Sequence, residues 1–189
     1  MKKIIQDQIQ GQTLIDLRSQ KEFQKGHIKG ALNLNPKNLS KYGKAFLKKG
    51  EELVLVVSEE NNAEIAALVE EAGLENVAGY LIAEEVTDQE TIQTITAEKF
   101  MALEGDFVLL DVRHPDEITR PAPEMNLVSI PLEDLSENYK QLAAKQPVYT
   151  LCGSGNRATA AASFLTDKGY QTIVIEGGMG AVEAVSSED

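Results

Sequence analysis

The chain is short of the residues that most often build metal sites, disulfides and polyanion-binding surfaces. Its 189 residues hold one cysteine, two histidines and no tryptophan. A single thiol excludes an internal disulfide and a cysteine-rich zinc site, and it suits a reducing compartment. Two histidines, His27 and His114, are too few for a histidine metal site. Cations are scarce too: 18 Lys and Arg stand against 30 Asp and Glu, a formal net charge of −12. That balance argues against nucleic acid and against membrane surfaces as partners, because both select basic patches. It leaves room for a small anion, since one loop can be locally positive in an acidic protein. No run approaches the roughly 18 apolar residues of a membrane-spanning helix. The opening MKKIIQDQIQ is too polar for a secretion signal. These absences predict a cytoplasmic protein. What is present is a 42% hydrophobic chain, enough to bury a core in one large domain or two small ones.

The chain repeats itself. TLIDLRSQKEF (residues 13–23) is echoed by VLLDVRHPDEI (108–118), and VLVVSEENNAEIAALV (54–69) by VYTLCGSGNRATAAASFL (148–165). This alignment sets Asp16 against Asp111, Ser58 against Cys152 and Gly73 against Gly169. We therefore expect two domains of one fold, over 1–86 and 92–189, joined near the polar EEVTDQET. Leu14–Leu17, Leu53–Val57, Val108–Val112, Val148–Leu151 and Ile173–Ile175 are apolar runs without alternation, as buried parallel strands are. Ala63–Ala72 and Ala158–Asp167 read as helices that stop before Gly73 and Gly169. Strand, helix and strand in repetition predict an α/β fold, each domain a mainly parallel sheet flanked by helices.

Sites in such sheets form where strands end and helices begin. Cys152 occupies that junction, in LCGSGNRATAAASFL. A thiol becomes a good nucleophile when ionised, and a helix N-terminus or a neighbouring cation favours the thiolate. Arg157 would supply a fixed positive charge. Gly153 and Gly155 would let the loop curl around one atom, and Asn156 tolerates left-handed geometry. The competing reading is a buried, inert cysteine before an ordinary loop. Asp111 and Arg113 end a predicted strand beside the site, either supporting it or forming a scaffold pair like Asp16 and Arg18. His27 and His114 read as turn residues, and Gly177–Gly178 as a tight turn beside the loop.

The Cys152 loop resembles the active-site loop of rhodaneses, Cys-x-x-Gly-x-Arg followed by a small residue. LLDVR followed by Glu117, and IEGGMGA, are similar to other segments of that family. LIDLRSQKEFQKGHIKGALNLNP resembles its Asp-x-Arg, Glu-Phe and Gly-His-Ile-x-Gly-Ala pattern. The resemblance implies a tandem of two rhodanese domains covering nearly the whole chain. Cys152 would then carry a persulfide between a small sulfur-containing donor, such as thiosulfate or a low-molecular-weight persulfide, and a thiol or cyanide acceptor. Gly153, Ser154, Gly155, Asn156 and Arg157 would form the binding loop, with no cofactor and no metal. ENVAGYL is similar to tandem segments that follow a metallo-β-lactamase-fold persulfide dioxygenase domain in bacteria. That likeness implies either a piece of such a fusion or a stand-alone relative with a persulfide-generating partner.

The departures are informative. RPAPEMNLVSIPL stands where the second half should carry Gly-His-Ile, and Val182 stands where the last motif usually has an aromatic residue. In the first half the loop is SEENNA, with no cysteine, glycine or arginine, so 1–86 should be inactive. Two other classes compete. One is a cysteine phosphatase or arsenate reductase, whose loop places five residues between Cys and Arg where this chain has four. The other is a non-enzymatic binding or regulatory tandem.

Overall fold

A computed structural model describes residues 1–187. The chain divides into two compact units, the first running from Met1 to Thr91 and the second beginning at Ile92.

The first unit contains β1 (Thr13–Asp16), α1 (Gln20–Lys25), β2 (His27–Ile28), β3 (Leu32–Asn33), α2 (Pro36–Phe46), β4 (Leu53–Val57), α3 (Asn62–Glu71), β5 (Val77–Ile82) and β6 (Gln89–Glu90). Four strands form a parallel sheet in the order β3-β1-β4-β5. All five residues of β4 are buried, which is why the strand shows no polar alternation. Burying each of these Leu and Val side chains contributes about 1.5–3 kcal/mol. Ser19 caps α1 with Glu22 in a reciprocal box, and Asn35 caps α2 ahead of Pro36. The N-terminal segment extends the sheet: the amide of Ile4 donates to the Tyr80 carbonyl over 2.7 Å. The joint expected near 84–91 is partly ordered structure. β6 pairs antiparallel with β2 and carries the first unit past residue 86.

The second unit contains β7 (Gln93–Ile95), α4 (Ala97–Met101), β8 (Val108–Asp111), β9 (Leu127–Ser129), α5 (Leu135–Asn138), β10 (Val148–Leu151), α6 (Asn156–Asp167), β11 (Thr172–Ile175) and α7 (Gly178–Ser186). Its five strands are all parallel, in the order β7-β11-β10-β8-β9. One face of this sheet buries Phe100, Phe107, Leu109, Leu151, Ile175 and Val182 in a common core. Val182 thus does core work, at 1% exposure. The alanines of α6 are fully buried, so the helix lies close against the sheet. Each unit is the α/β arrangement that the sequence predicts; the five strands expected from apolar runs lie within a residue of their places, and β3, β5, β7 and β9 complete the two sheets beyond them. Among the described residues, no helix is long and apolar enough to cross a membrane.

Candidate active site

β10 is the middle strand of the second sheet, and Cys152 follows it directly at the carboxyl end. The chain then turns through Gly153 and Ser154, both exposed, and enters α6. Gly155 makes the turn at φ +97° and ψ −11°, a left-handed conformation that a side chain would strain. Sulfur sits at the floor of this loop, with the whole residue 1% exposed. Two backbone amides donate to Sγ: Gly155 N over 3.1 Å and Ala158 N over 3.3 Å. These are orphan donors of the first helical turn, which no intrahelical carbonyl can satisfy.

The loop is held from outside. The carbonyls of Cys152 and Gly153 accept from the amides of Met179 (2.7 Å) and Gly180 (3.3 Å), at the start of α7. Those carbonyls therefore turn away from the sulfur, and the amide face of the loop turns toward it. Gly178 is what permits this approach. A Cβ placed there would fall 2.4 Å from the Cys152 carbonyl oxygen and 2.7 Å from the Gly153 carbonyl carbon. Thr150 Oγ1 donates to the Ala158 carbonyl over 3.0 Å, tying the helix start back to the strand.

Arg157 lies on α6 beside the loop, and a Cβ built on Gly153 would come 3.7 Å from its Nη2. Its Nη1 makes an ion pair with Glu117 Oε1. The same carboxylate oxygen accepts from the His114 amide over 2.9 Å, so Glu117 joins the turn after β8 to the helix that follows the Cys152 loop. Sequence reading treats Arg157 as a lone cation. The structure shares its charge with a carboxylate. Two further expectations are corrected: Gly153 has no positive φ, and Asn156 is the first helical residue, not a left-handed one. Only Gly155 makes the special turn, because the helix begins immediately after it.

The corresponding loop of the first unit is built differently. Sheet register pairs Thr13 with Leu53 and Val108 with Val148. The Leu17 amide bonds the Val56 carbonyl, as the Val112 amide bonds that of Leu151. Counted from these bonds, Val57, and not Ser58, stands where Cys152 stands. The first loop is one residue longer before its helix, and this corrects the sequence alignment. Ser58 donates instead to Glu22 Oε1 over 3.0 Å. Asn61 caps α3, its side-chain oxygen accepting from the Glu64 amide over 3.2 Å.

A model of the rhodanese-like domain matches residues 1–82 and 96–184. The chain belongs to the rhodanese-like domain family. Among curated relatives, it is 32% identical over 94 residues to YqhL of Bacillus subtilis, covering 50% of this chain and 74% of that one. It is 28% identical over 93 residues to "Putative sulfurtransferase YtwF" of the same organism, covering 49% of this chain and 88% of that one. A rhodanese-related protein of Thermoplasma volcanium of known structure is 30% identical, with a TM-score of 0.43 over 49% of this chain and 92% of that one.

Within each rhodanese unit an Asp–Arg pair closes the strand that lies beside the one leading into the loop. Arg113 Nη2 reaches Asp111 Oδ2 over 2.7 Å, its Nε reaches Oδ1 over 3.0 Å, and its Nη1 donates to the Arg120 carbonyl over 3.2 Å. Arg18 and Asp16 repeat the bidentate pair, at 2.8 Å and 3.1 Å. Neither Asp111 nor Arg113 hydrogen-bonds to the Cys152 loop among the described residues. The duplication in the cysteine-free rhodanese unit favours the scaffold role. His27 is also structural: it is 3% exposed, stacks on Phe23 at 3.8 Å, and its Nδ1 bonds the Phe23 carbonyl over 2.9 Å. Burial lowers its pKa below the ordinary 6.5, against that hydrogen bond. The Ser19 hydroxyl lowers the pKa of Glu22 below 4.5.

Sequence reasoning expects helix-start amides at the sulfur but assigns no role to Glu117 or Thr150. One signal for Glu117 was available. His114-x-x-Glu117 repeats the spacing of the Ser19-x-x-Glu22 capping box, so the repeat itself marks the glutamate as anchored. Among the described residues, no three His, Cys, Asp or Glu side chains gather in a way that could hold a metal.

Proposed function

We propose that the protein is a sulfurtransferase whose second unit, 92–189, carries the reaction and whose first, Met1–Thr91, is catalytically silent. The observation that carries this reading is the Sγ of Cys152 held on two helix-start amides, with the loop carbonyls turned outward. That surrounding stabilises sulfur as an anion, first as a thiolate and then as a persulfide. The rhodanese membership of both halves supports the same chemistry.

Cys152 gives its proton to solvent and attacks the outer sulfur of thiosulfate or of a small organic persulfide. A Cys152–sulfur bond forms, the donor's sulfur–sulfur bond breaks, and sulfite or a thiolate leaves with the electron pair. A thiolate or cyanide then takes the outer sulfur and returns the Cys152 thiolate. Bonds and electrons balance without an external oxidant or reductant, so the cycle needs no cofactor. Gly153 and Ser154 line the mouth that the donor enters. Gly155 and Asn156 shape the amide ring, and Arg157, anchored by Glu117, borders it. Asp111 and Arg113 hold the end of β8.

The test is the mass of the purified protein after incubation with thiosulfate or glutathione persulfide. The expected result is a gain of one sulfur atom, removed by cyanide and absent in Cys152→Ser. A wild-type protein that gains no sulfur from either donor, or a variant that still transfers it, overturns the proposal. Hydrolysis of p-nitrophenyl phosphate in place of sulfur loading would assign the loop to phosphate chemistry.

A further inference from the structure

From Phe23 to Gly50 the chain contains no Asp or Glu, yet it carries seven of the 18 cationic residues, all lysine. In a protein of net charge −12 this is a strong segregation. α2 organises it. Asn38, Leu39, Tyr42 and Gly43 face the core. Lys37, Lys41 and Lys44 are exposed on the opposite side, at helical spacing, and Lys48 and Lys49 continue the stripe beyond the helix end. Among the described residues, no carboxylate lies within ion-pair distance of any of these five lysines.

The stripe borders a groove of about 380 Å³. Lys44, Lys48 and Lys49 line it, and the partly buried Leu47 and Leu74 supply apolar surface. Of the two acids on the groove, Glu51 is turned to its own chain, accepting from the Lys48 amide and the Thr13 hydroxyl, and Glu75 stands exposed.

The fold does not require these lysines. The register of β3 on β1 and of β9 on β8 aligns Asn33 with Ser129. Counted on from there, Leu39 matches Leu135, and both are buried. On the same count Glu133 and Glu137 fall where Lys37 and Lys41 stand. Lys140 and Lys145 fall with Lys44 and Lys49, and Ala144 with Lys48, so the second copy interrupts the row with two carboxylates and an alanine, and the continuous run of lysines is a property of the first copy.

We infer that α2 and the groove beside it form a docking surface for an acidic, leucine-bearing polypeptide segment of a partner protein. The lysines meet its carboxylates and the groove takes an apolar side chain. Charge complementarity favours a short acidic segment over nucleic acid. A long polyanion would run off the stripe onto a strongly acidic surface, and of the two aromatic residues of α2, Tyr42 is 5% exposed and Phe46 is partly buried, so the helix offers no open stacking platform. The surface lies at the start of β4, away from the carboxyl ends of the strands where the first loop sits.

The probe is a short fluorescein-labelled peptide of aspartate and glutamate around two leucines, titrated with the whole protein and followed by anisotropy. Saturable binding is expected, weakening as salt is raised. Lys41→Glu/Lys44→Glu/Lys48→Glu should weaken it by about tenfold or more, and the triple Gln variant by less. The exposed positions make the Gln variant a safe test of folding, checked by circular dichroism. Replacing the peptide leucines by serine should also weaken binding. No saturable binding, or equal binding to the triple Glu variant, overturns the inference. So does lysine-dependent binding of single-stranded DNA or phosphatidylserine vesicles without binding of the peptide. Self-association abolished by the same substitutions would make a second copy the occupant and would equally overturn it.

Discussion

Two glycines near Cys152 look equivalent in sequence and are not. Gly178 is at φ +58°, and an added Cβ would strike the backbone of the loop at 2.4 Å. Backbone cannot give way as a side chain tip can. Gly178→Ala should therefore destabilise the second unit by about 2–4 kcal/mol and slow sulfur loading of Cys152 with it. A Cβ added at Gly153 meets only Arg157 Nη2, at an ordinary contact distance of 3.7 Å, and Gly153→Ala should cost no more than about 0.5 kcal/mol. Urea titrations of the two variants check this; equal stability would mean that α7 does not brace the loop. The cysteine-free copy makes the same point about position. Restoring a thiol there, as Ser58→Cys or Val57→Cys in a Cys152→Ser background, should not restore transfer. Ser58 is bonded to Glu22, Val57 is a buried strand residue, and the Asn61 cap already occupies an amide of α3. Transfer within about tenfold of wild type by either variant would show a competent first loop.

At the scale of elements, the Cys152 loop is a joint between three pieces: the turn after β8, the start of α6 and the start of α7. Glu117 connects the first two through its ion pair with Arg157 and its bond to the His114 amide. The side chains are 18% and 38% exposed, so solvent screening leaves the pair worth about 1 kcal/mol or less in stability. Its value lies in holding Arg157 in one place. Glu117→Gln keeps an acceptor for His114 but loses the charge. It should leave stability within about 1 kcal/mol of wild type while slowing sulfur loading by about tenfold. Glu117→Asp should recover part of the rate. A large loss of stability with unchanged loading kinetics would make the pair purely structural.

For the molecule, the two units should respond differently to acid. In the first, His27 is kept neutral by burial, so its folded pKa lies below 6.5. Below that pH the unfolded chain binds a proton that the folded one refuses, and stability falls as pH falls, until the folded value is passed. Glu22 acts in the same direction at lower pH. Its ionised form is favoured by Ser19, so stability present above 4.5 is lost as pH drops through its lowered folded value. We expect the urea midpoint of the first unit, followed by NMR signals of β1 and β4, to decline from pH 7 to pH 5 and further below 4.5. His27→Gln should flatten the upper part. A midpoint independent of pH between 7 and 5 would contradict the burial of a neutral ring.

The sequence by itself determined the class of the fold, its duplication and the junction that holds Cys152. Each depends on neighbours along the chain: unbroken apolar runs such as Leu53–Val57, caps such as Ser19 with Glu22, and a glycine placed just before a helix. It could not determine which distant groups meet. Arg157 and Glu117 are separated by 40 residues, and only the packing of α6 against the turn after β8 joins them. The one-residue difference between the two loops is equally hidden, because Ser58 aligns with Cys152 by similarity while hydrogen bonds between strands place Val57 there. The outward turn of the loop carbonyls depends on α7, and the lysine stripe on which face of α2 the core claims. Local pattern is written in the order of residues; register and pairing are decided by bonds between segments that the order keeps apart.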